Sequence, residues 1–177
     1  ATGLVTNKTY HIAVSRFGGN LYIHLDGVNI KTVSVTGTIG VTNVVFGIGT
    51  HGGATLNAYL ASFRVMVGQV AYNVNDFTPP TTKLSATANT VLLLQFENYG
   101  IYDATNKTNF ETAASAAVDL VNNKFGGSSL TMGSTNGAFV RSRTEETLYD
   151  IYGGNFTIEC FFRLTNTTPV NGNSLFS

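Results

Sequence analysis

The sequence contains no tryptophan and a single cysteine, and only 11% of its 177 residues are charged. The lone Cys160 excludes an intrachain disulfide, so the fold has to rest on its core. A single cysteine in an apolar strand reads as a small buried hydrophobe. Ten basic and ten acidic residues cancel to a formal net charge of zero. That balance removes the long-range field that would steer the chain to nucleic acid or to an anionic membrane. Long apolar runs are also missing. The longest is Val91-Leu92-Leu93-Leu94, far short of the roughly 20 residues of a membrane-spanning helix. The opening Ala1-Thr2-Gly3-Leu4 lacks the basic-then-apolar pattern expected of a signal peptide. Asn-x-Ser/Thr sequons at Asn7, Asn106, Asn155 and Asn166 are what so Asn- and Thr-rich a composition produces by chance.

What is present points to strands. Hydrophobic residues make up 43% of the chain, glycine occurs 19 times, and Thr, Val, Asn and Ser fill much of the rest. β-branched residues punctuated by Gly and Asn read as short strands and tight turns. Tyr10 to Arg16 alternates, Phe17-Gly18-Gly19-Asn20 turns, and Leu21 to Leu25 returns. Asp26-Gly27 is a two-residue turn signal of the kind that takes positive φ, and Val28 to Val35 makes a third strand. Pairing Arg16 with Leu21 sets a register: Val14 faces Ile23 and Ile12 faces Leu25 on an apolar side. Ser15 then faces Tyr22, Ala13 faces His24 and His11 faces Asp26 on a polar side, read as a sheet face turned to water.

Further strands are expected at Val44–Gly49, Leu60–Val67, Val91–Glu97, Ala138–Val140 and Phe156–Leu164, and Lys124 to Leu130 reads as a turn into another. In the last, Ile158, Cys160, Phe162 and Leu164 alternate with Glu159, Phe161 and Arg163. Asn73 to Asn89, with Asp76-Phe77-Thr78-Pro79-Pro80, reads as a linker because consecutive prolines cannot sit in a central strand. Glu111 to Val121, with its alanines, is the one segment whose propensity favours helix, against its β surroundings.

Several of these motifs together resemble the laminin-G-like, concanavalin A-like lectin domains, in versions found in phage virion and bacterial surface proteins. Tyr10-His11-Ile12-Ala13-Val14-Ser15-Arg16 followed by Leu21-Tyr22-Ile23-His24-Leu25-Asp26-Gly27-Val28 is similar to their central hairpin. Tyr59 to Val65, Ala71-Tyr72 and Phe77-Thr78-Pro79-Pro80 resemble their final strand and exit. Val91 to Phe96, Lys124 to Leu130 and Asn155 to Glu159 resemble their opening.

The resemblance implies an all-β, antiparallel β-sandwich of jelly-roll type. The order of its parts is inverted: residues 1–80 match the C-terminal half of a domain, 81–89 link, and 90–177 match an N-terminal half. Two arrangements follow from that order. Either the halves close into one circularly permuted sandwich, or the chain runs from the middle of one domain of an array to the middle of the next. An isolated half-sandwich would expose its inner face and strand edges, which favours closure or a swap between chains.

The resemblance also frames function. Glycosidases of this fold set paired carboxylates at alternate positions of one strand. Here the corresponding strand offers Glu159 alone, and Glu145-Glu146 are adjacent and would point to opposite faces. No catalytic residue is assigned and no enzyme activity is expected; a glycoside hydrolase is the remote alternative. No cofactor is expected either. Relatives bind calcium through loop carboxylates and carbonyls, and the sparse acidic residues here leave Ca2+ open but unsupported.

The expected role is a non-catalytic carbohydrate-binding or adhesion module of a phage fibre, decoration protein or surface protein. Its location would be extracellular, on a virion or cell surface. Its partner would be a cell-surface glycan or other subunits of the virion or array, with no nucleic acid and no membrane insertion. The alternative is a purely structural assembly module. Candidate sugar contacts are Thr50, His51, Asn57 and Tyr59 around the Gly-rich loop, with Tyr22 and His24 on the polar hairpin face. Amides, hydroxyls and aromatic rings are the groups that hold sugars. The lack of tryptophan argues against heavy reliance on stacking. His11, His24 and Asp26 also have metal-ligand chemistry, weighed against their reading as residues facing water.

Overall fold

A computed structural model of the chain describes residues 3–39, 47–51, 54–97, 100–133, 138–142, 151, 153–166 and 175. Among them every regular element is a strand: β1 (Thr9–Phe17), β2 (Asn20–Leu25), β3 (Val28–Ser34), β4 (Gly47–Ile48), β5 (Thr50–His51), β6 (Ala54–Thr55), β7 (Ala58–Val67), β8 (Thr90–Leu94), β9 (Phe110–Ala113), β10 (Ala117–Asp119), β11 (Ser129–Thr131), β12 (Phe139–Ser142) and β13 (Phe156–Leu164). All pairings are antiparallel. No helix among the described residues is long and apolar enough to cross a membrane. Residues 44–46 of an expected strand, Gly52-Gly53 and Glu145-Glu146 lie outside the described residues.

The large sheet runs β10-β11-β7-β13-β1-β2-β3, with β8 also paired to β7. Because β13 takes one edge of β7, β8 and β11 share the other: β8 lies along Phe63–Met66 and β11 along Tyr59–Leu60. Strands from 1–80 and from 90–177 therefore interleave in one sheet. β13 pairs with β1 from Thr9↔Arg163 to Arg16↔Phe156, and with β7 on its other side. A second sheet, β4-β12-β9, lies over one face of the first. Between them sits a core that includes Leu60, Phe63, Val65, Leu92, Leu94, Phe156, Cys160 and Phe162 of the large sheet with Ile48 and Val140 of the small one. The architecture is all-β and consistent with a sandwich.

The β1–β2 register is the one arithmetic requires, with Val14↔Ile23, Ala13↔His24 and Arg16↔Leu21. Burial of one apolar face fixes it, since a one-residue slip would turn every side chain over. The alanine-rich segment is not helical. It divides into β9 and β10, which join different sheets, with Ala114 turning between them at φ 53°. Sheet pairing outweighs alanine's propensity there.

Strand β7 departs from simple alternation. Cys160 pairs with Phe63 and Phe162 with Leu60, so Ala61 and Ser62 together oppose Phe161. Ser62 takes φ 83° to form this bulge. The extra residue lets Leu60, Phe63 and Val65 all enter the core and sends Arg64 to the other face.

The Asp26-Gly27 turn has φ 50° and 82°, as a type I′ hairpin turn requires. Gly27 also has a neighbour. A Cβ there would stand 1.9 Å from the Phe77 carbonyl oxygen, whereas one on Gly19 (φ 76°) would meet nothing within 4 Å. Gly27→Ala should therefore cost about 2–4 kcal/mol, from positive-φ strain plus displaced backbone. Gly19→Ala should cost about 1–2 kcal/mol, from φ alone. Urea unfolding of the two variants checks the difference.

Candidate functional site

The face of the large sheet away from the core carries His11, Ala13 and Ser15 from β1, Tyr22 and His24 from β2, Thr157, Glu159 and Phe161 from β13, and Arg64 from β7. Sequence reasoning placed the hairpin part of this face in water. The structure overturns that: His11 is 1% and His24 0% exposed. Residues 68–89 carry no strand, as expected for their Asn73–Asn89 part, and cross this face as a strap.

Aromatic and hydrogen-bonding groups fasten the strap. Tyr72 and Phe77 stack with ring centres 3.6 Å apart, and Phe77 packs on both His11 (5.7 Å) and His24 (5.2 Å). The Phe77 amide donates to the Gly27 carbonyl at 2.9 Å, and Asp76 accepts from the Asn29 amide at 2.8 Å. Farther along, the Ala71 amide donates to Thr157 Oγ1 at 2.9 Å. The Leu84 amide donates to Ser62 Oγ at 3.3 Å, so the bulge also anchors the strap.

Glu159 is the electrostatic centre beneath it. Its Oε1 accepts from Arg64 Nε at 2.8 Å and Nη2 at 2.5 Å. Its Oε2 meets His11 Nε2 at 2.9 Å and accepts from the Tyr72 hydroxyl at 2.9 Å. Arg64 Nη1 continues to the Ser85 carbonyl at 2.8 Å. Burial pushes the Glu159 carboxyl up, but the His11 hydrogen bond with the Arg64 charge and hydrogen bonds together hold it below the usual carboxylate range. Burial, then the Glu159 charge, pushes the Tyr72 hydroxyl well above its ordinary value. Burial likewise raises the Cys160 thiol.

Both Glu159 oxygens are thus engaged, one by a guanidinium and the other by two ring donors. Chemically this is a desolvated charge cluster, its carboxylate partnered on both oxygens, that ties β1, β7, β13 and the strap; His11 Nδ1 is buried without a hydrogen bond among the described residues. His24 differs. Neither of its ring nitrogens completes a hydrogen bond among the described residues. Burial lowers its pKa from 6.5, against the opposing pull of the Asn75 backbone and the Asp76 carboxylate, with His11 adding to the lowering. No group of three or more His, Cys, Asp or Glu side chains arranged to hold a metal occurs among the described residues. His11 and Asp26 meet through the backbone, the His11 amide donating to Asp26 Oδ1 at 2.8 Å.

The expected sugar contacts fall in separate places. Tyr22 and His24 are buried under the strap, three strand spacings (about 14 Å) from β7 across the sheet. Thr50 and His51 pair with Thr55 and Ala54 in a small hairpin; their side chains lie outside what is described. Asn57 is half-buried, and its carbonyl accepts from the Thr165 amide at 3.0 Å.

Tyr59 borders a depression, a narrow cleft that it lines with Asn122, Asn123, Lys124, Phe161 and Arg163. The Arg163 guanidinium lies over the Tyr59 ring at 5.0 Å and donates to Asn122 Oδ1. Lys124 Nζ sits 5.1 Å from the Phe161 ring centre and 5.3 Å from that of Phe125. Two cations perched on aromatic rings, two carboxamides and no lining carboxylate make this a polar, cation-bearing surface.

No family model, curated protein or solved structure matches the chain. The cleft therefore stands on its own chemistry. Arg163, Asn122, Asn123 and Lys124 escaped the sequence reading. Their signals were a basic residue on the outward phase of an apolar strand, and an Asn-Asn-Lys run entering the Phe125-Gly126-Gly127 turn.

Proposed function

We propose that the chain is a non-catalytic carbohydrate-binding, adhesion-type module, displayed on a virion or cell surface and built on a permuted laminin-G-like jelly roll. The observation that carries the reading is the Tyr59 cleft. A guanidinium and an ammonium held in place by ring faces, beside two carboxamides, match the hydroxyl pairs of a saccharide. The permuted arrangement draws its support from the interleaving of β13 between β7 and β1. With Glu159 partnered on both oxygens, binding is the chemistry left to the exposed groups.

A glycan array probed with the chain is the test. Binding above background should fall about tenfold or more in an Arg163→Ala/Lys124→Ala variant, as expected for lost charge-assisted hydrogen bonds. An array without binding, or binding unchanged by that variant, overturns the reading.

A structural assembly role is the second reading, favoured by one observation. β3 ends the large sheet among the described residues and leaves Val28, Ile30 and Val33 40–57% exposed. Apolar edge strands of this kind pair with further chains. If assembly is the role, light scattering will show concentration-dependent association that Ile30→Lys abolishes; a monomer at all concentrations sinks it.

A further inference from the structure

A depression roomier than the Tyr59 cleft, and remote from it in sequence, is formed by the turn after β8. It has a volume of about 240 Å³ and is lined by Ile101, Tyr102, Asn106, Lys107, Asn109 and Phe110, with Asp103 and Thr108 at its base. Asp103 is 3% exposed and makes this turn rigid. Its Oδ1 accepts from the Leu93 amide at 3.0 Å and the Thr105 amide at 2.9 Å. Its Oδ2 accepts from Thr105 Oγ1 at 2.6 Å, the Lys107 amide at 3.0 Å and the Thr108 amide at 3.2 Å. Lys107 Nζ donates to the Thr90 carbonyl at 2.8 Å, which pins the turn to β8.

That network consumes the only carboxylate and the only ammonium of the depression's lining. What remains facing outward is neutral. Asn106, held at φ 57°, and Asn109 are exposed, and their carboxamides make no hydrogen bond among the described residues. Tyr102 is 42% exposed, and Phe110 supplies a second ring. Each carboxamide presents a donor and an acceptor side by side, the pattern that two adjacent hydroxyls satisfy. The rings offer faces or edges to C–H groups. The volume lies below the roughly 300 Å³ at which drug-sized pockets begin, and suits one ring. Preorganisation by Asp103 lowers the ordering cost of binding.

We propose that the depression beside the 103–108 turn is a saccharide subsite for a single neutral pyranose ring, distinct from the Tyr59 cleft. Saturation-transfer NMR on the full chain tests it, with the methyl glycosides of glucose, galactose, mannose and N-acetylglucosamine as probes. At least one glycoside should receive saturation. Its affinity should fall about tenfold in Tyr102→Ala and in Asn109→Ala, as lost stacking or paired hydrogen bonds imply. Thermal midpoints should stay within a degree or two, since both side chains are exposed. Arg163→Ala should leave in place the share of the signal that Tyr102→Ala and Asn109→Ala remove.

Absence of transfer from all four probes overturns the subsite. So does transfer of equal strength in the Tyr102 and Asn109 variants. Transfer abolished only by Arg163→Ala would assign the sugar to the Tyr59 cleft, removing this subsite while leaving the proposed function standing.

Discussion

Glu159→Ala should lower the free energy of unfolding by about 3–5 kcal/mol, the range for removing one partner of a buried ion pair. Glu159 is 1% exposed and Arg64 8%, so the variant leaves a guanidinium without its carboxylate in a dry site, where the Ser85 carbonyl still accepts from it. It also strands the Tyr72 hydroxyl and the His11 Nε2 proton beneath the strap. A double variant, Arg64→Met/Glu159→Leu, should recover most of that loss, because well-packed apolar residues of similar size substitute for buried ion pairs at little net cost. Urea unfolding of wild type, both single variants and the double gives the coupling energy directly. If Glu159→Ala costs less than about 1 kcal/mol, a surface-pair value, the cluster does not tie the strap to the sheet.

The second large effect is loss of stability in acid, in two steps. His24 is folded in as a neutral imidazole, its pKa lowered from 6.5 by burial. Below 6.5 the unfolded chain binds a proton that the folded chain refuses, so stability falls as pH drops from 6.5 toward the folded value. Glu159 acts lower down. Its folded pKa lies below the ordinary 4.5, so the stability it confers is complete above 4.5 and is lost as pH falls through the folded value. Thermal midpoints measured from pH 8 to pH 3 should therefore bend downward first near 6.5. His24→Leu should remove that first bend and leave the lower one, and Glu159→Gln should do the reverse. A midpoint flat from pH 7 to pH 5 would contradict the burial of His24 under Phe77.

The hairpin was legible because its two faces differ in character, so only one register keeps Ile12, Val14, Ile23 and Leu25 together. β13 was legible for the same reason. The bulge was not. Leu60-Ala61-Ser62-Phe63-Arg64 carries no glycine to announce a positive φ, and plain alternation would set Leu60 and Arg64 on one face. Nor was the strap legible as a cover, since prolines mark a strandless stretch without saying where it lies. Its aromatic pair Tyr72 and Phe77 was the available sign, because rings in an otherwise polar connection need a surface to bury against. Opposite charges inside two apolar strands, Arg64 and Glu159, were the other sign. They prove to be direct cross-strand partners. The Tyr59 cleft was legible only at Tyr59; the rest of it comes from chain segments far away in sequence.

The place of β13 has a consequence for synthesis. Both neighbours of this central strand, β1 and β7, leave the ribosome long before it does, since Thr9 pairs with Arg163 and Val67 with Phe156. Contacts of such sequence separation make folding slow, because the closure entropy of a long loop is lost before any pairing offsets it. Until residue 164 has emerged, the edge of β1 that β13 covers in the folded chain is without that strand, and the core face beside it is incomplete. A nascent chain in that state is a target for chaperones and for its own copies on neighbouring ribosomes. Translation stalled before residue 156 should accordingly yield a protease-sensitive chain, and release beyond residue 164 should bring protection to all of β1, β7 and β13 together.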